Sequence, residues 1–175
     1  KIIFIKMDIE INNIVDLWQR EKTVCITTNG FIKNNNGAPI AVIGRGSAKA
    51  MANIIPELPE KLGWYLFEYG HTVGFIYNRV IAFPTKPEKG TWDNALESLK
   101  NCFSEQDIIP GFWCKSDPEL IKKSITQLNQ LISTYNLDKV YCPVPGFGEF
   151  TLEEILPLLT EASNKIIFFI HNDKE

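Results

Sequence analysis

Residues 27–53, TTNGFIKNNNGAPIAVIGRGSAKAMAN, join the end of an apolar strand, a polar loop and the glycines Gly44 and Gly46 to a helix-forming run. Glycine allows positive φ and lets a ligand reach the main chain without meeting a Cβ atom. The first N–H groups of the following helix have no acceptor within the helix, so they attract anions. The stretch predicts a phosphate-binding loop, although a single Gly-x-Gly match is more often an ordinary connection between strand and helix.

A second stretch with the same order of elements lies far downstream. The sequence PVPGFGEFTL, residues 143–152, follows an apolar strand pattern and precedes a helical one. Ligands of open α/β sheets bind at the carboxyl ends of the strands, where the loops that lead into helices gather. The two glycine loops are therefore expected at one edge of the sheet, and together they suggest a ligand with two phosphates.

The rest of the chain alternates between strand and helix patterns. Strands are predicted at residues 2–5, 23–27, 72–76, 80–83, 139–142 and 165–170, and helices at residues 47–55, 59–69, 92–103, 118–135 and 151–162. Such alternation predicts an α/β domain whose sheet is parallel or mixed. Because the chain has 175 residues and is 45% apolar, residues 1–175 are expected to form one domain.

The segment at about residues 88–117 interrupts this alternation. It carries Pro110, several aromatic residues and one short amphipathic helix pattern. The simpler interpretation is a packed excursion over one edge of the sheet. The alternative is a lid in which Trp92, Phe112 and Trp113 cover the ligand, because long insertions beside binding edges often have a function.

The composition argues against several classes of function. The net charge of -3 disfavours a broad basic surface for duplex nucleic acid. No apolar run reaches the roughly 18 to 20 residues of a membrane span, so a soluble cytoplasmic protein without membrane contact is expected. The four cysteines have no Cys-x-x-Cys spacing and are expected to be reduced. His71 and His171 are expected on the surface or in packing, so neither a metal site nor a cofactor is predicted.

Four segments resemble a known family both in sequence and in order. They are ITTNGFIKNNNGAPIAVIGRGSAKAMANIIPELP, AFPTKP, LIKKSITQLNQL and VYCPVPGFGEFTLEEILPLL. The resemblance is to the macro domain superfamily, especially the branch with terminal ADP-ribose glycohydrolase and related bacterial and phage proteins. It covers about residues 14–169 without the excursion. It implies a three-layer α/β/α fold with a mixed, largely parallel central sheet and a cleft for ADP-ribose. It also implies recognition of ADP-ribose, or its removal from protein or nucleic acid.

The resemblance implies roles for individual residues. Asn29 and Gly30 match the site of the distal ribose, and the two glycine loops match the two segments that hold the diphosphate. The place of an adenine-binding acid reads Asn13 and Ile14, and the Asn13 side-chain oxygen can still accept that hydrogen bond. The full set of expected ligand contacts is Asn13, Ile14, Asp16, Thr28, Asn29, Gly30, Ile43, Gly44, Arg45, Gly46, Ser47, Pro145, Gly146, Phe147, Gly148, Glu149 and Phe150.

Two positions depart from the catalytic pattern of that branch. Ala52 and Phe150 stand where its glycohydrolases carry a nucleophilic lysine and an acid/base aspartate, and neither side chain can do that chemistry. Lys49, one helical turn before Ala52, and Glu149 are the candidate catalytic substitutes. The alternative is that both are solvated residues. Phe147 and Phe150 instead favour stacking on a ribose or a base.

The preferred function is therefore binding of ADP-ribose or a related NAD-derived nucleotide, with Arg45 either on a phosphate or in solvent. The alternative is a hydrolase that removes ADP-ribose from protein or nucleic acid, or a group from an ADP-ribose derivative. A Rossmann-type oxidoreductase fits less well, since no full Gly-x-Gly-x-x-Gly follows the first strand. A fourth interpretation is an interaction domain that has kept the fold and lost the cleft.

Overall fold

The computed structural model describes residues 8–173, which form a six-stranded sheet with helices on both faces. The strands are β1 (Glu10–Asn12), β2 (Thr23–Thr28), β3 (Ile32–Asn35), β4 (Ala38–Ala41), β5 (Gly74–Tyr77), β6 (Val80–Pro84), β7 (Lys89–Gly90), β8 (Ile109–Pro110), β9 (Val140–Pro143) and β10 (Ile166–His171). The helices are α1 (Ile14–Gln19), α2 (Gly46–Ile54), α3 (Leu58–Tyr69), α4 (Pro118–Tyr135) and α5 (Leu152–Ile155). Within residues 8–173, four segments are 3-10 helices: Trp92–Asn94, Glu97–Cys102, Gly111–Trp113 and Leu156–Leu159.

The central sheet has the strand order β1-β10-β9-β2-β6-β5. Its neighbouring strands are parallel except for β5 and β6, which are antiparallel. Helices α1 to α3 pack on one face, and α4 and α5 pack on the other. The predicted three-layer α/β/α fold with a mixed, largely parallel sheet is confirmed.

Alternating side chains of the central strands build a core on each face of the sheet. In β2, Val24 and Ile26 join the core with α1 to α3, whereas Cys25 joins the core with α4 and α5. All three side chains are fully buried. Successive strand residues point to opposite faces, so a sheet covered on both sides requires a continuous apolar run. Burial of each such aliphatic side chain contributes about 1.5 to 3 kcal/mol to the free energy of folding.

The bounds of α4 match the helix predicted at residues 118–135. Asp117 caps its first turn, because its side chain accepts the N–H of Glu119 at 3.0 Å. Ser124 on the buried face of the helix donates to the carbonyl oxygen of Pro84 at 2.7 Å. This bond fixes α4 to the end of β6.

The polar stretch predicted as a loop before Gly44 is not a simple loop, because it contains the β3–β4 hairpin. Its turn has positive φ at Asn36 (51°) and Gly37 (85°), which is typical of two-residue hairpin turns. The hairpin packs on α3, where the missing side chain of Gly63 leaves room for the carbonyl group of Pro39. The first glycine pair therefore follows β4 and does not follow β2 directly.

Two predicted helices take a different form. Residues 92–103 form two 3-10 segments, and residues 151–162 form the short helix α5 followed by a 3-10 turn. Pro157 accounts for the second difference, because it supplies no N–H donor and fixes φ. The strand predicted at residues 2–5 lies outside the described residues, and the edge strand β1 was not predicted.

The excursion lies beside the carboxyl ends of β2 and β6. It has a small core of its own in Ala95, Ile109 and Cys114, all fully buried. The N–H of Asp117 donates to the carbonyl oxygen of Thr85 at 2.8 Å, so the two ends of the excursion meet. None of the helices in residues 8–173 is long and apolar enough to cross a membrane.

Candidate functional site

A cleft of about 790 Å³ lies where β2, β6, β9 and β10 end at their carboxyl ends. This is the edge at which open α/β sheets bind ligands, and the volume is in the usual range of ligand pockets. Three further segments complete its walls: residues 42–48, residues 146–149 and part of the excursion. The two glycine stretches, well separated in the sequence, therefore share one cleft.

The first glycine segment, Gly44 to Ser47, forms one wall of the cleft. Gly46 has φ of 69°, and a Cβ atom at Gly44 or Gly46 would meet nothing within 4 Å. The backbone at both positions is therefore open to a ligand. Helix α2 begins at Gly46, and its N-cap residue Arg45 makes no side-chain capping bond. The first-turn N–H groups of α2 thus lack the side-chain acceptor that Asn13, Asp117 and Thr151 give to the other capped helices.

The second glycine segment, Gly146 to Glu149, forms another wall. Gly146 and Gly148 have φ of 78° and 96°, values that favour glycine. The N–H groups of Glu149 and Phe150 both donate to the carbonyl oxygen of Gly146 and close a tight turn. A Cβ atom at Gly146 would come within 2.7 Å of the Phe150 ring, so this glycine also provides space. Phe147 is exposed in the cleft, whereas Phe150 packs on the core of the α4 face.

Asn29 connects the end of β2 to the first glycine segment. Its side-chain nitrogen donates to the carbonyl oxygen of Val42 at 3.0 Å, and its side-chain oxygen accepts the N–H of Phe31 at 3.0 Å. An asparagine amide has a second donor and a second lone pair, so it can still bind a ligand. Next to it, the hydroxyl of Thr28 is buried and has no hydrogen-bond partner within residues 8–173. Thr28 as a residue lines the cleft, whereas its hydroxyl oxygen is enclosed by the protein.

An ion pair between Lys86 and Glu149 lies at the cleft wall. The Lys86 Nζ is 3.0 Å from Glu149 Oε1, and the two side chains are only 15% and 21% exposed. The other carboxylate oxygen, Oε2, accepts the backbone N–H of Ser116 at 2.6 Å. Both oxygens of Glu149 are therefore engaged, one by Lys86 just before the excursion and one by Ser116 near its end.

Two histidines occupy different places. His171, at the end of β10, lines the cleft; its Nδ1 accepts the N–H of Ile14 at 3.2 Å, and its Nε2 is 2.7 Å from Asp173 Oδ1. His71 packs beside Gly30, where the backbone of Glu88 also comes close. Burial lowers the pKa of His71 to about 4. The packing role expected for His71 agrees with this, whereas His171 also reaches the cleft.

The aromatic residues of the excursion divide into two groups. Phe112 and Trp113 line the cleft, and their rings pack edge to face with centroids 4.9 Å apart. The Phe112 ring also contacts Phe31, with centroids 5.2 Å apart. Trp92 instead donates its ring N–H to the carbonyl oxygen of Lys100 and is not among the residues that line the cleft. Of the three predicted lid residues, two lie at the cleft.

The structure brings most of the predicted ligand contacts to the cleft. Those that line it are Thr28, Asn29, Ile43, Gly44, Arg45, Gly46, Ser47, Gly146, Phe147, Gly148 and Glu149. Those that do not line it are Asn13, Ile14, Asp16, Gly30, Pro145 and Phe150. The candidate catalytic residue Lys49 is exposed on α2 and also lies outside the lining.

Three of the residues outside the lining have structural roles. Asn13 caps α1, because its side-chain oxygen accepts the N–H groups of Val15 and Asp16. Ile14 is fully buried in the core. Gly30 permits close approach of the excursion, since a Cβ atom there would come within 3.0 Å of the Glu88 backbone nitrogen. Asn13, Ile14 and Gly30 therefore contribute to the fold.

Sequence reasoning missed several polar residues that line the cleft. They are Thr85, Lys86, Ser98, Ser116, His171 and Asp173. Thr85 and Lys86 directly follow β6, and His171 ends β10, so their places after predicted strands were a usable signal. Ser98 and Ser116 reach the cleft through the folding of the excursion, which the sequence pattern did not predict.

Comparisons with known proteins find similarity at the level of structure only. No family model matches the chain, and no curated protein matches it significantly. The macrodomain of Mycobacterium tuberculosis DarG is 14% identical, with a TM-score of 0.57 over 95% of this chain and 99% of that one. The macrodomain of Thermus aquaticus DarG is also 14% identical, with a TM-score of 0.55 over 95% and 97%. At this low identity the similarities concern the fold alone. They show that this chain has the macrodomain fold.

Proposed function

We propose that the cleft binds ADP-ribose or a related NAD-derived nucleotide. The observation that carries this proposal is that residues 44–47 and 146–149, far apart in the sequence, line one cleft. A diphosphate has oxygen atoms on two phosphorus centres, and glycine turns and helix N-termini are common sources of the N–H donors that bind them. The macrodomain fold supports the same class of ligand.

The first glycine segment is assigned to one phosphate of the ligand. The uncapped first turn of α2 offers N–H donors and carries no acidic residue that would repel an anion. Arg45 is exposed at the start of this turn and lines the cleft. A guanidinium group in this position can add a charge-assisted hydrogen bond to a phosphate.

The remaining walls suit the sugar and the base. Beyond its bonds to Val42 and Phe31, the Asn29 amide has a second donor and a second lone pair, which within residues 8–173 are available for a ribose hydroxyl. Phe147 and Trp113 present exposed aromatic surface that can stack on a ribose face or a base. Stacking contributes affinity without proton transfer, so it fits a site that holds its ligand.

Binding is preferred to hydrolysis because of the two candidate catalytic residues. Lys49 is exposed and outside the cleft lining, so its amine is poorly placed to attack a bound ligand. The two oxygens of Glu149 already interact with the Lys86 ammonium group and the Ser116 N–H, so this carboxylate is poorly placed for acid/base catalysis. Hydrolysis remains the alternative, through a water molecule held beside Asn29 and Gly146. Incubation with ADP-ribosylated protein, ADP-ribosylated DNA and ADP-ribose 1″-phosphate tests it, and we expect no product.

Calorimetry with ADP-ribose tests the binding proposal. We expect measurable heat with the native protein. A Gly46→Ala variant should bind ADP-ribose at least about tenfold more weakly, because alanine is strained at this positive φ and its Cβ would distort the first glycine segment. Gly37→Ala is a matched control. Gly37 also has positive φ and open space at Cβ, but it lies in the hairpin turn away from the cleft. Equal losses of affinity in both variants, or no heat with the native protein, would contradict the proposal.

A further inference from the structure

Helix α3 presents a group of aromatic and acidic side chains to solvent. Glu60, Trp64 and Glu68 follow one another at intervals of four residues, so they lie along one side of the helix. Phe67 packs edge to face on the Trp64 ring, with centroids 5.9 Å apart. Trp64 and Phe67 are 45% and 69% exposed. These four residues and Lys61 form the α3 patch, which lies outside the lining of the cleft.

The Trp64 ring differs from two other tryptophans of the chain in what covers it. The Arg79 guanidinium lies over the Trp18 ring, 5.2 Å from its centroid. The Lys100 ammonium lies over the Trp92 ring at 4.7 Å. Within residues 8–173, no cation lies over Trp64. Because an aromatic face attracts cations, Trp64 has room for a cation supplied by another molecule.

The acids of the α3 patch lack basic partners. Within residues 8–173, neither Glu60 nor Glu68 forms an ion pair or a side-chain hydrogen bond. Lys61 is the single basic residue of α3, so the patch carries a net negative charge. An arginine side chain suits such a surface, because its planar guanidinium group stacks on aromatic rings and pairs with carboxylates through two N–H donors.

We infer that the α3 patch is a docking surface for an arginine-containing segment of a partner protein. One guanidinium group stacks on Trp64, and the carboxylate of Glu60 or Glu68 accepts its N–H groups. Phe67 provides apolar contact beside it. The patch is separate from the cleft, so this inference is independent of the proposed function.

A second copy of this chain fits the α3 patch less well. A two-fold pair of α3 helices that joins the two Trp64 side chains is self-complementary, so each residue meets the same patch on the other copy. Glu60 of one copy then lies opposite Glu60 or Glu68 of the other, and these like charges repel each other. The charge of the patch therefore favours a basic partner over self-association.

Calorimetry with a blocked nona-arginine peptide tests the inference, with a nona-lysine peptide as the comparison. We expect the arginine peptide to bind at least about fivefold more tightly, because lysine has no planar group that can stack on Trp64. Trp64→Ala should reduce the affinity for the arginine peptide to that for the lysine peptide. The double variant Glu60→Gln/Glu68→Gln should lower it about tenfold. Lys61→Gln should raise it several-fold, because a like charge is removed.

The double variant Glu153→Gln/Glu161→Gln is the control, since it changes the net charge by the same amount. Both residues are exposed and belong to the region of α5, on the other face of the sheet. We expect an affinity close to that of the native protein. Equal losses of affinity in the two double variants would show that the peptide responds to net charge alone, and the inference would fall. Thermal unfolding of each variant shows that it is folded.

An amide NMR titration with the arginine peptide locates the contact. We expect the signals of residues 60–69 to shift while those of residues 44–47 and 146–149 stay in place. No binding, or shifts outside α3, would overturn the inference. Sedimentation of the native protein and Trp64→Ala tests the other occupant, because a dimer that depends on Trp64 would assign the patch to a second copy. ADP-ribose calorimetry is unaffected by these outcomes, so the proposed function stands or falls separately.

Discussion

The side chain of Asn29 holds the carbonyl oxygen of Val42 at 3.0 Å and so ties the end of β2 to the residue two before Gly44. The same side chain accepts the N–H of Phe31, which begins the approach to the hairpin. One asparagine therefore fixes the entry and the exit of the β3–β4 hairpin. The position of the first glycine segment depends on this anchor.

Replacing Asn29 by alanine should weaken both folding and ligand binding. Two hydrogen bonds are lost, which corresponds to about 1 to 3 kcal/mol in the free energy of unfolding. The affinity for ADP-ribose should also fall, because the first glycine segment loses its anchor. Urea unfolding and calorimetry measure the two effects.

Asn34→Ala is the control for this variant. Asn34 makes a comparable bond, from the N–H of Gly37 to its side-chain oxygen at 2.9 Å, in the exposed turn of the same hairpin. We expect a small loss of stability and an unchanged affinity. A loss of affinity as large as that of Asn29→Ala would contradict the anchoring role.

Stability should fall as the pH drops from about 6.5 to about 4, in part because of His71. Burial lowers its pKa in the folded protein to about 4, while the unfolded chain has an ordinary histidine pKa near 6.5. The unfolded state binds the proton first, so the contribution of His71 is fully present above pH 6.5 and is lost as the pH falls. The loss is on the order of 2 to 3 kcal/mol.

A His71→Leu variant isolates this contribution. Carboxyl groups titrate in the same range in both proteins, so the difference in slope between native protein and variant belongs to His71. Urea unfolding at pH 4.5 and pH 7 gives the two slopes, and the ring proton signals in NMR give the pKa directly. Identical slopes, or a ring that titrates near pH 6.5, would show that the imidazole is not held neutral by burial.

Trp113→Ala should reduce the affinity for ADP-ribose about tenfold, because one stacking contact contributes roughly 1 to 3 kcal/mol. Trp113 lines the cleft and is 42% exposed. Trp64 is 45% exposed and packs edge to face on Phe67, but it lies on α3 outside the cleft lining. Trp64→Ala should therefore leave binding unchanged. Equal affinities of the native protein and Trp113→Ala for ADP-ribose in calorimetry would show that Trp113 makes no stacking contact with the ligand.

Gly63→Ala should destabilise the protein although alanine favours helices. In an exposed helix interior this change would stabilise by about 1 kcal/mol. Here the new Cβ would clash with the carbonyl oxygen of Pro39 and lie 2.6 Å from its carbonyl carbon. We expect a net loss above about 2 kcal/mol in urea unfolding, because the hairpin must move away from α3. Lys61→Ala on the exposed face of α3 is the control, with a change below about 0.5 kcal/mol.

Much of the fold could be predicted from periodicity and caps. The helix predicted at residues 118–135 has an apolar stripe, a capping Asp117 and 18 residues of regular pattern. Its predicted bounds therefore agree with those of α4. The β3–β4 hairpin was missed although Asn36 and Gly37 are the strongest short hairpin signal. Pro39 and the run of asparagines hid the strands on either side, because both are unfavourable in sheets.

The candidate site was predictable only where it depends on local backbone. Gly46, Gly146 and Gly148 carry their signal in their own residue type, since each has positive φ. Lys86 carries a signal in its place after a predicted strand, but its contact with Glu149 cannot be read from the sequence. Asn13 was assigned to the ligand by resemblance, yet its side chain is engaged in capping α1.

The most direct test of the central claim is an amide NMR titration of the native protein with ADP-ribose. We predict that the signals of residues 46–48 and 146–149 shift together and give one dissociation constant. Two separated glycine segments would then hold the same molecule. The absence of any shift, or shifts confined to one of the two segments, would contradict the account.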